Sequence, residues 1–142
     1  MATLSMNTNS VFHVPPPTSS ALLNNEPALQ VNDQDLTIMT VKGQYYWHVH
    51  ASSDEMFYVM DGDLTLQMRP VRQEGEPERA EDDADRTIQL TKGDIFVVPK
   101  NTEHRSGSKE GAQVMFLLRQ GSLDFMSDDK VEEGGKITGH GE

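Results

Sequence analysis

The sequence predicts an all-β fold in a single domain, either a barrel or a sandwich. Segments rich in β-branched and aromatic residues recur at short intervals between turn residues. No stretch of the middle of the chain carries a helical period. At 142 residues the chain is the size of one ordinary domain, able to bury one sizeable core.

The predicted strands run, in order, over 28–32, 36–42, 44–50, 55–60, 63–69, 87–91, 94–99, 103–106 and 112–119. Gly43 and Gly93 punctuate two of the connections. Asp61-Gly62 stands between 55–60 and 63–69 and predicts a two-residue hairpin, because glycine accepts a positive φ. Alternation assigns faces. In 63–69, Leu64, Leu66 and Met68 share one side and Thr65 and Gln67 the other, so that strand is half-buried. In 55–60 both sides are apolar, Phe57 and Val59 against Met56, Tyr58 and Met60. The same holds for 112–119, with Val114, Phe116 and Leu118 opposite Met115 and Leu117. Strands apolar on both sides need cover on both sides, and a second copy of the chain is the simplest cover for the outer one. A homodimer is therefore expected, with Tyr45 and Trp47 as aromatic anchors.

The remaining segments are polar. Residues 1–25, with Pro15, Pro16 and Pro17, form an extended arm, loose or laid over the barrel surface. Residues 26–120 carry the domain. Within it, 71–86 holds seven acids and three arginines and no apolar period, which predicts a solvated, mobile loop between two strands. The acidic, Gly-rich tail 121–142 is mostly flexible, with Leu123, Phe125 and Met126 able to dock on the barrel.

Composition excludes several classes of function. The net charge of −11 is wrong for nucleic acid and for anionic membrane surfaces, both of which need clustered Lys and Arg. With no cysteine there is no disulfide framework, thiolate metal site or covalent thiol route. The first residues lack the basic and apolar regions of a signal peptide, and no apolar run approaches the ~18 residues of a membrane span. A cytoplasmic protein is expected.

The chemistry concentrates in two segments. His48 and His50, two apart on a predicted strand, point to one face. Glu55 follows after a polar turn, with the parity of Phe57 and Val59. A carboxylate among inward apolar residues is costly unless neutralised, and a divalent metal neutralises it. His104, from a later hairpin, is the fourth candidate ligand. Gln44 and Tyr46 share the parity of the two histidines and are placed near the ion. Arg105 alternates away from His104, and His13 and His140 lie in the loose ends.

These two segments resemble the two motifs of the cupin superfamily: Gly43, His48, His50, Glu55 and Gly62 in the first, Gly93, Pro99 and His104 in the second. The stretches 54–59 and 93–99 are particularly similar to small single-domain cupins. Gly43 stands one residue nearer His48 than the family pattern, Asn101 replaces a Gly, and Ser108 replaces an Asn. Asn tolerates positive φ next best to Gly, so the turn before His104 survives. The resemblance, from about residue 36 to 118, implies a double-stranded β-helix barrel with one metal ion inside it, held by His48, His50, Glu55 and His104.

Three imidazoles and one carboxylate suit Fe, Mn, Ni, Zn or Cu and leave one or two positions open. The expected function is a metal-dependent enzyme with dioxygenase-like chemistry on a small chelating molecule that is aromatic, enol-like or polyketide-derived. Phe57, Val59, Leu64, Leu66 and Met68 would line its pocket. Glu55 and Tyr46 are the titratable groups, besides histidine, available for catalysis. The alternatives are a non-oxidative isomerase, cyclase, decarboxylase or lyase, with Glu55 leaving the metal to act as base, and a non-catalytic metal- or ligand-binding protein.

Overall fold

In the computed structural model of the chain, residues 9–17, 28–122 and 125–126 are described. They contain nine strands, β1 (Leu29–Val31), β2 (Gln34–Gln44), β3 (His48–Val49), β4 (Glu55–Asp61), β5 (Asp63–Pro70), β6 (Arg86–Thr91), β7 (Ile95–Val98), β8 (Thr102–Arg119) and β9 (Phe125–Met126). Among the described residues no helix is long and apolar enough to cross a membrane.

All pairings are antiparallel, and β8 organises them. Its C-terminal half lies between β2 and β4, with Ile38 opposite Met115 and Val59 opposite Val114. β7 extends that half beyond β4, and β1 extends it beyond β2. Its N-terminal half pairs with β5, Met68 opposite His104, and with β3. β6 and β9 complete this second half. Phe57, Val59, Val98 and Val114 from the first half meet Leu64, Leu66, Met68 and Leu90 from the second in one buried cluster. This is the two-halved barrel of a double-stranded β-helix.

Three expectations are corrected. The predicted strands 103–106 and 112–119 are one 18-residue strand. Its glycines bend it without ending it: Gly111 takes φ 107 and the ladder resumes at Ala112. The predicted strand 44–50 does not exist as such. β2 runs through Gly43, where the register slips, and the chain leaves the sheet at 45–47 before β3. Finally, Asp61-Gly62 is not a hairpin, for β4 and β5 each pair with β8. It is a corner at which the chain passes from one half to the other alongside the bend in β8.

That corner demands glycine. Gly62 has φ 88, and a Cβ there would lie 2.5 Å from the Gly111 carbonyl oxygen and 2.9 Å from the Ala112 Cα. Both obstacles are backbone and cannot rotate away. Gly62→Ala is expected to cost about 2 kcal/mol or more, lowering Tm by roughly 10 °C. Thermal unfolding measures it, and an unchanged Tm would contradict the corner.

The ends and the acidic loop are also placed. The arm residues 9–17 meet the barrel where the Gln113 side chain donates to the Pro15 carbonyl at 2.9 Å. Phe125 and Met126 pair with β3, while Leu123 lies outside the described residues. The connection 71–85 is exposed over most of its length but not free. Arg69 Nη1 donates to the Ala80 and Asp83 carbonyls at 2.9 and 3.2 Å, and Arg79 donates to the Pro70 carbonyl and the Glu103 carboxylate. The charge run concealed these anchors because their partners lie on other strands.

Candidate metal centre

The break in the sheet at 45–47 delivers β3 to β8 at a single position, His48 opposite His104. β4 begins at Glu55 and carries Glu55, Phe57 and Val59 to the interior. The polar turn between them brings His50 and Glu55 into contact. Thus two imidazoles from the β3 segment, one carboxylate from β4 and one imidazole from β8 converge. One potential ligand atom from each of the four lies within 4.8 Å of the other three. The three rings sit 4.3 to 5.5 Å apart, centroid to centroid.

His50 Nε2 and His104 Nε2 lie 3.2 and 3.1 Å from the same Glu55 oxygen. His50, Glu55 and His104 are buried and His48 is half-buried. His104 Nδ1 donates to the Thr102 carbonyl at 2.9 Å, and His48 Nδ1 donates to the Tyr46 carbonyl at 3.0 Å. A carbonyl only accepts, so the proton belongs on Nδ1 in both rings and each Nε2 is the atom left to bind a cation. At His104 that Nε2 meets a carboxylate, itself an acceptor, so either a proton or a metal ion must occupy the contact. The donor set therefore fits a divalent ion: three imidazoles, two of them oriented by backbone carbonyls, and one carboxylate whose oxygen is already shared.

Burial alone would raise the Glu55 pKa. Hydrogen bonds from His104 and His50, and the charge on those rings, outweigh burial and hold the carboxyl well below the usual carboxylate range. Its contribution to folding of the metal-free chain is therefore complete above the unfolded-state value of about 4.3 and is lost as pH falls toward the lower folded-state value. Glu55→Gln is expected to flatten the stability profile of the metal-free chain below about pH 4.3, in urea unfolding at stepped pH. Identical acid limbs in the two proteins would contradict the assigned shift.

Not every residue expected near the ion is there. Tyr46 falls in the strand break, where parity no longer holds. Its side chain is 54% exposed, and it reaches the cluster through its carbonyl. Gln44 is exposed, with its amide on the Ser106 carbonyl at 3.0 Å. Of the predicted lining, Val59, Leu64 and Leu66 are fully buried in the packed core. Phe57 and Met68 adjoin a ligand: the Phe57 ring lies 6.1 Å from that of His104, and Met68 stands opposite His104 in the ladder. Trp47, expected at a dimer interface, is 2% exposed and gives its Nε1 proton to the Glu81 carbonyl at 2.7 Å. Tyr45 packs against the core cluster. His13 is exposed and His140 lies outside the described residues.

The family departures have local compensation. Asn101 takes φ 61, the conformation a Gly would supply. The Ser108 hydroxyl donates to the Asp63 carbonyl at 2.7 Å and accepts from the Gly111 amide at 3.0 Å, tying the bend of β8 to β5. Sequence reasoning missed Arg69 and Glu103, an ion pair at 2.8 Å buried on the outer face behind His104. Their outward parity was readable, but their pairing needed the register of β5 on β8.

Comparison with known proteins agrees with this geometry. A family model described as "Cupin domain" matches residues 36–119. The uncharacterized protein YdbB of Bacillus subtilis is 30% identical over 79 residues, covering 56% of this chain and 58% of that protein. The chain thus spans a little over half the length of this curated relative. The crystal structure of a cupin-2 domain containing protein from Shewanella frigidimarina is 27% identical, with a TM-score of 0.54 over 75% of this chain and 85% of that one. Hydroquinone 1,2-dioxygenase from Sphingomonas sp. TTNP3, solved with 4-hydroxybenzoate bound, shares the fold at 17% identity and a TM-score of 0.55, over 67% and 64% of the two chains.

Proposed function

From the premise that this chain belongs to the cupin domain family, we propose that it is a metal-dependent enzyme with dioxygenase-like chemistry on a small chelating aromatic or enol-like substrate. The observation that carries this reading is the convergence of His48, His50, Glu55 and His104 with two Nε2 atoms oriented inward by backbone carbonyls. An ion bound there would supply Lewis acidity and, if Fe, Mn, Ni or Cu, one-electron chemistry. The chain's own part is to hold that ion with a single residual positive charge, which suits an anionic enolate or phenolate. Phe57 and Met68 keep water from the buried side, while half-buried His48 marks the side open to a substrate.

The same observations disfavour the non-oxidative alternative in which Glu55 acts as base. Moving Glu55 away to act as a base would break its contacts with both His50 and His104. The test is turnover of a panel of hydroquinones, catechols and β-diketones by Fe(II)-loaded protein in an oxygen electrode. Oxygen consumption matching substrate loss is expected, with no turnover under anaerobic conditions. Turnover without oxygen, or equal turnover with redox-inert Zn(II), would assign isomerase, cyclase or lyase chemistry instead.

The chain is also proposed to act as a homodimer. Support comes from the outer face of β4, β7 and β8, where Ile95 and Val97 are 58% and 47% exposed beside half-buried Met56, Tyr58, Met115 and Leu117. Light scattering at micromolar concentration is expected to give twice the chain mass, and Ile95→Lys to halve it. A monomeric wild type would exclude the dimer.

A further inference from the structure

Behind the metal centre, on the opposite face of the same strands, lies a second buried cluster of charged and aromatic groups. Trp47, which precedes His48, packs its ring against two guanidinium groups, with Arg69 at 3.8 Å and Arg105 at 4.8 Å from the ring centroid. Glu103 and Arg105 flank His104. Glu103 accepts from Arg69 Nε at 2.8 Å and Arg79 Nη2 at 2.6 Å. Arg105 donates to Gln67 at 2.8 Å and to Glu81 at 3.3 Å. The β5–β6 connection closes the cluster from outside through the carbonyls of Ala80, Glu81 and Asp83, which accept from Arg69 and Trp47.

We propose that this cluster is a latch, and that Trp47, Arg69 and the segment 79–83 are positioning elements that set the separation of His48 from His104. The proposal rests on the reading of the four residues as a metal site. Its motive is the weakness of the strand junction. β3 has two residues; it pairs with the two-residue β9 on one side and meets β8 at one ladder position on the other, with further backbone bonds at Tyr45 and at His50. At 45–47 the chain runs outside any strand, and the Trp47 side chain fixes it there. The latch grips the residue before His48 and the residues on both sides of His104. Buried ion pairs with satisfied partners have one arrangement, since losing a partner strands a charge. Metal–ligand distances tolerate only about 0.2 Å, so a junction held this way matters to binding as well as to folding.

The test uses Co(II), whose visible spectrum reports coordination geometry, on the full chain. Trp47→Leu removes the aromatic system and its donor, and Trp47→Phe removes the donor while keeping a smaller aromatic ring. Leu117→Ala, on the outer face of the other half, controls for general loss of stability. Trp47→Leu is expected to weaken Co(II) binding about 10-fold, the lower end of what losing a hydrogen-bonded outer partner of a metal ligand costs, since Trp47 acts on His48 through the backbone, and to alter the spectrum. Trp47→Phe should fall between, and it keeps the test decisive if Trp47→Leu fails to fold. Leu117→Ala should leave affinity and spectrum unchanged while lowering Tm. Wild-type affinity and spectrum in the Trp47 variants, or an equal loss in Leu117→Ala, would overturn the latch. If wild type takes up no Co(II), the metal reading fails and the latch is judged by histidine-ring NMR of the metal-free chain. Shifted His48 and His104 signals in the Trp47 variants but not in Leu117→Ala would support it, and unshifted signals would overturn it.

Discussion

Replacing His104 with alanine is expected to take the protein from one tightly held divalent ion per chain to none at equimolar metal. His104 is the candidate ligand farthest in sequence from the other three, and both its ring nitrogens are engaged, Nδ1 by Thr102 and Nε2 at Glu55. Loss of an outer partner alone costs about 10–100-fold in metal affinity, so loss of the ligand itself is expected to exceed about 100-fold. The chain should remain folded, because none of the four ligands belongs to the buried apolar cluster of the barrel. Elemental analysis after dialysis against metal-free buffer, with circular dichroism as the check on folding, measures both. His48→Ala should behave alike. A chain with all four residues replaced that still retains one ion would refute the assignment.

Phe57→Ala is expected to be the most destabilising single change in the interior. The ring is 2% exposed, meets Phe116 edge-on at 5.0 Å and lies beside His104. Truncating a buried phenylalanine costs about 3–5 kcal/mol, a large share of the ~5–15 kcal/mol that holds a domain folded. Phe57→Leu, which refills most of the volume, should cost less than half as much. Denaturant unfolding midpoints compare the three proteins. Because the cavity would open beside His104, Phe57→Ala should also loosen the ion, which Phe57→Leu should not. Equal stabilities would remove Phe57 from the core.

How far the chain could be read without its structure depends on the range of each signal. The cluster of candidate ligands was legible, since His48-x-His50 and Glu55 are local and the alternation of β4 is regular through Glu55, Phe57 and Val59. Tyr46 was misplaced because parity counts only while a strand lasts, and the strand ends at Gln44. Asp61-Gly62 was misread for a related reason. The dipeptide reports a positive φ at Gly62, which is correct, but not which strands lie beside it. Trp47 and the 71–85 connection were illegible together. A run of acids looks solvated, and what holds it is its carbonyl groups and three arginines bonding across register, which composition does not encode.

The shared strand β8 has a consequence for how the chain reaches this state. β2 and β4 find their partners in the last residues of the domain, Gln34 opposite Arg119 and Glu55 opposite Leu118, so the pairings that close the barrel are also among the most distant along the chain. Such a topology folds slowly, because loop closure must precede the contacts that reward it. During synthesis β2 and β4 can pair with β1 and β7, but the edges that meet β8 stay open until residue 119 has left the ribosome. The doubly apolar β4 then presents one open edge for that interval, which makes it the segment most exposed to mispairing.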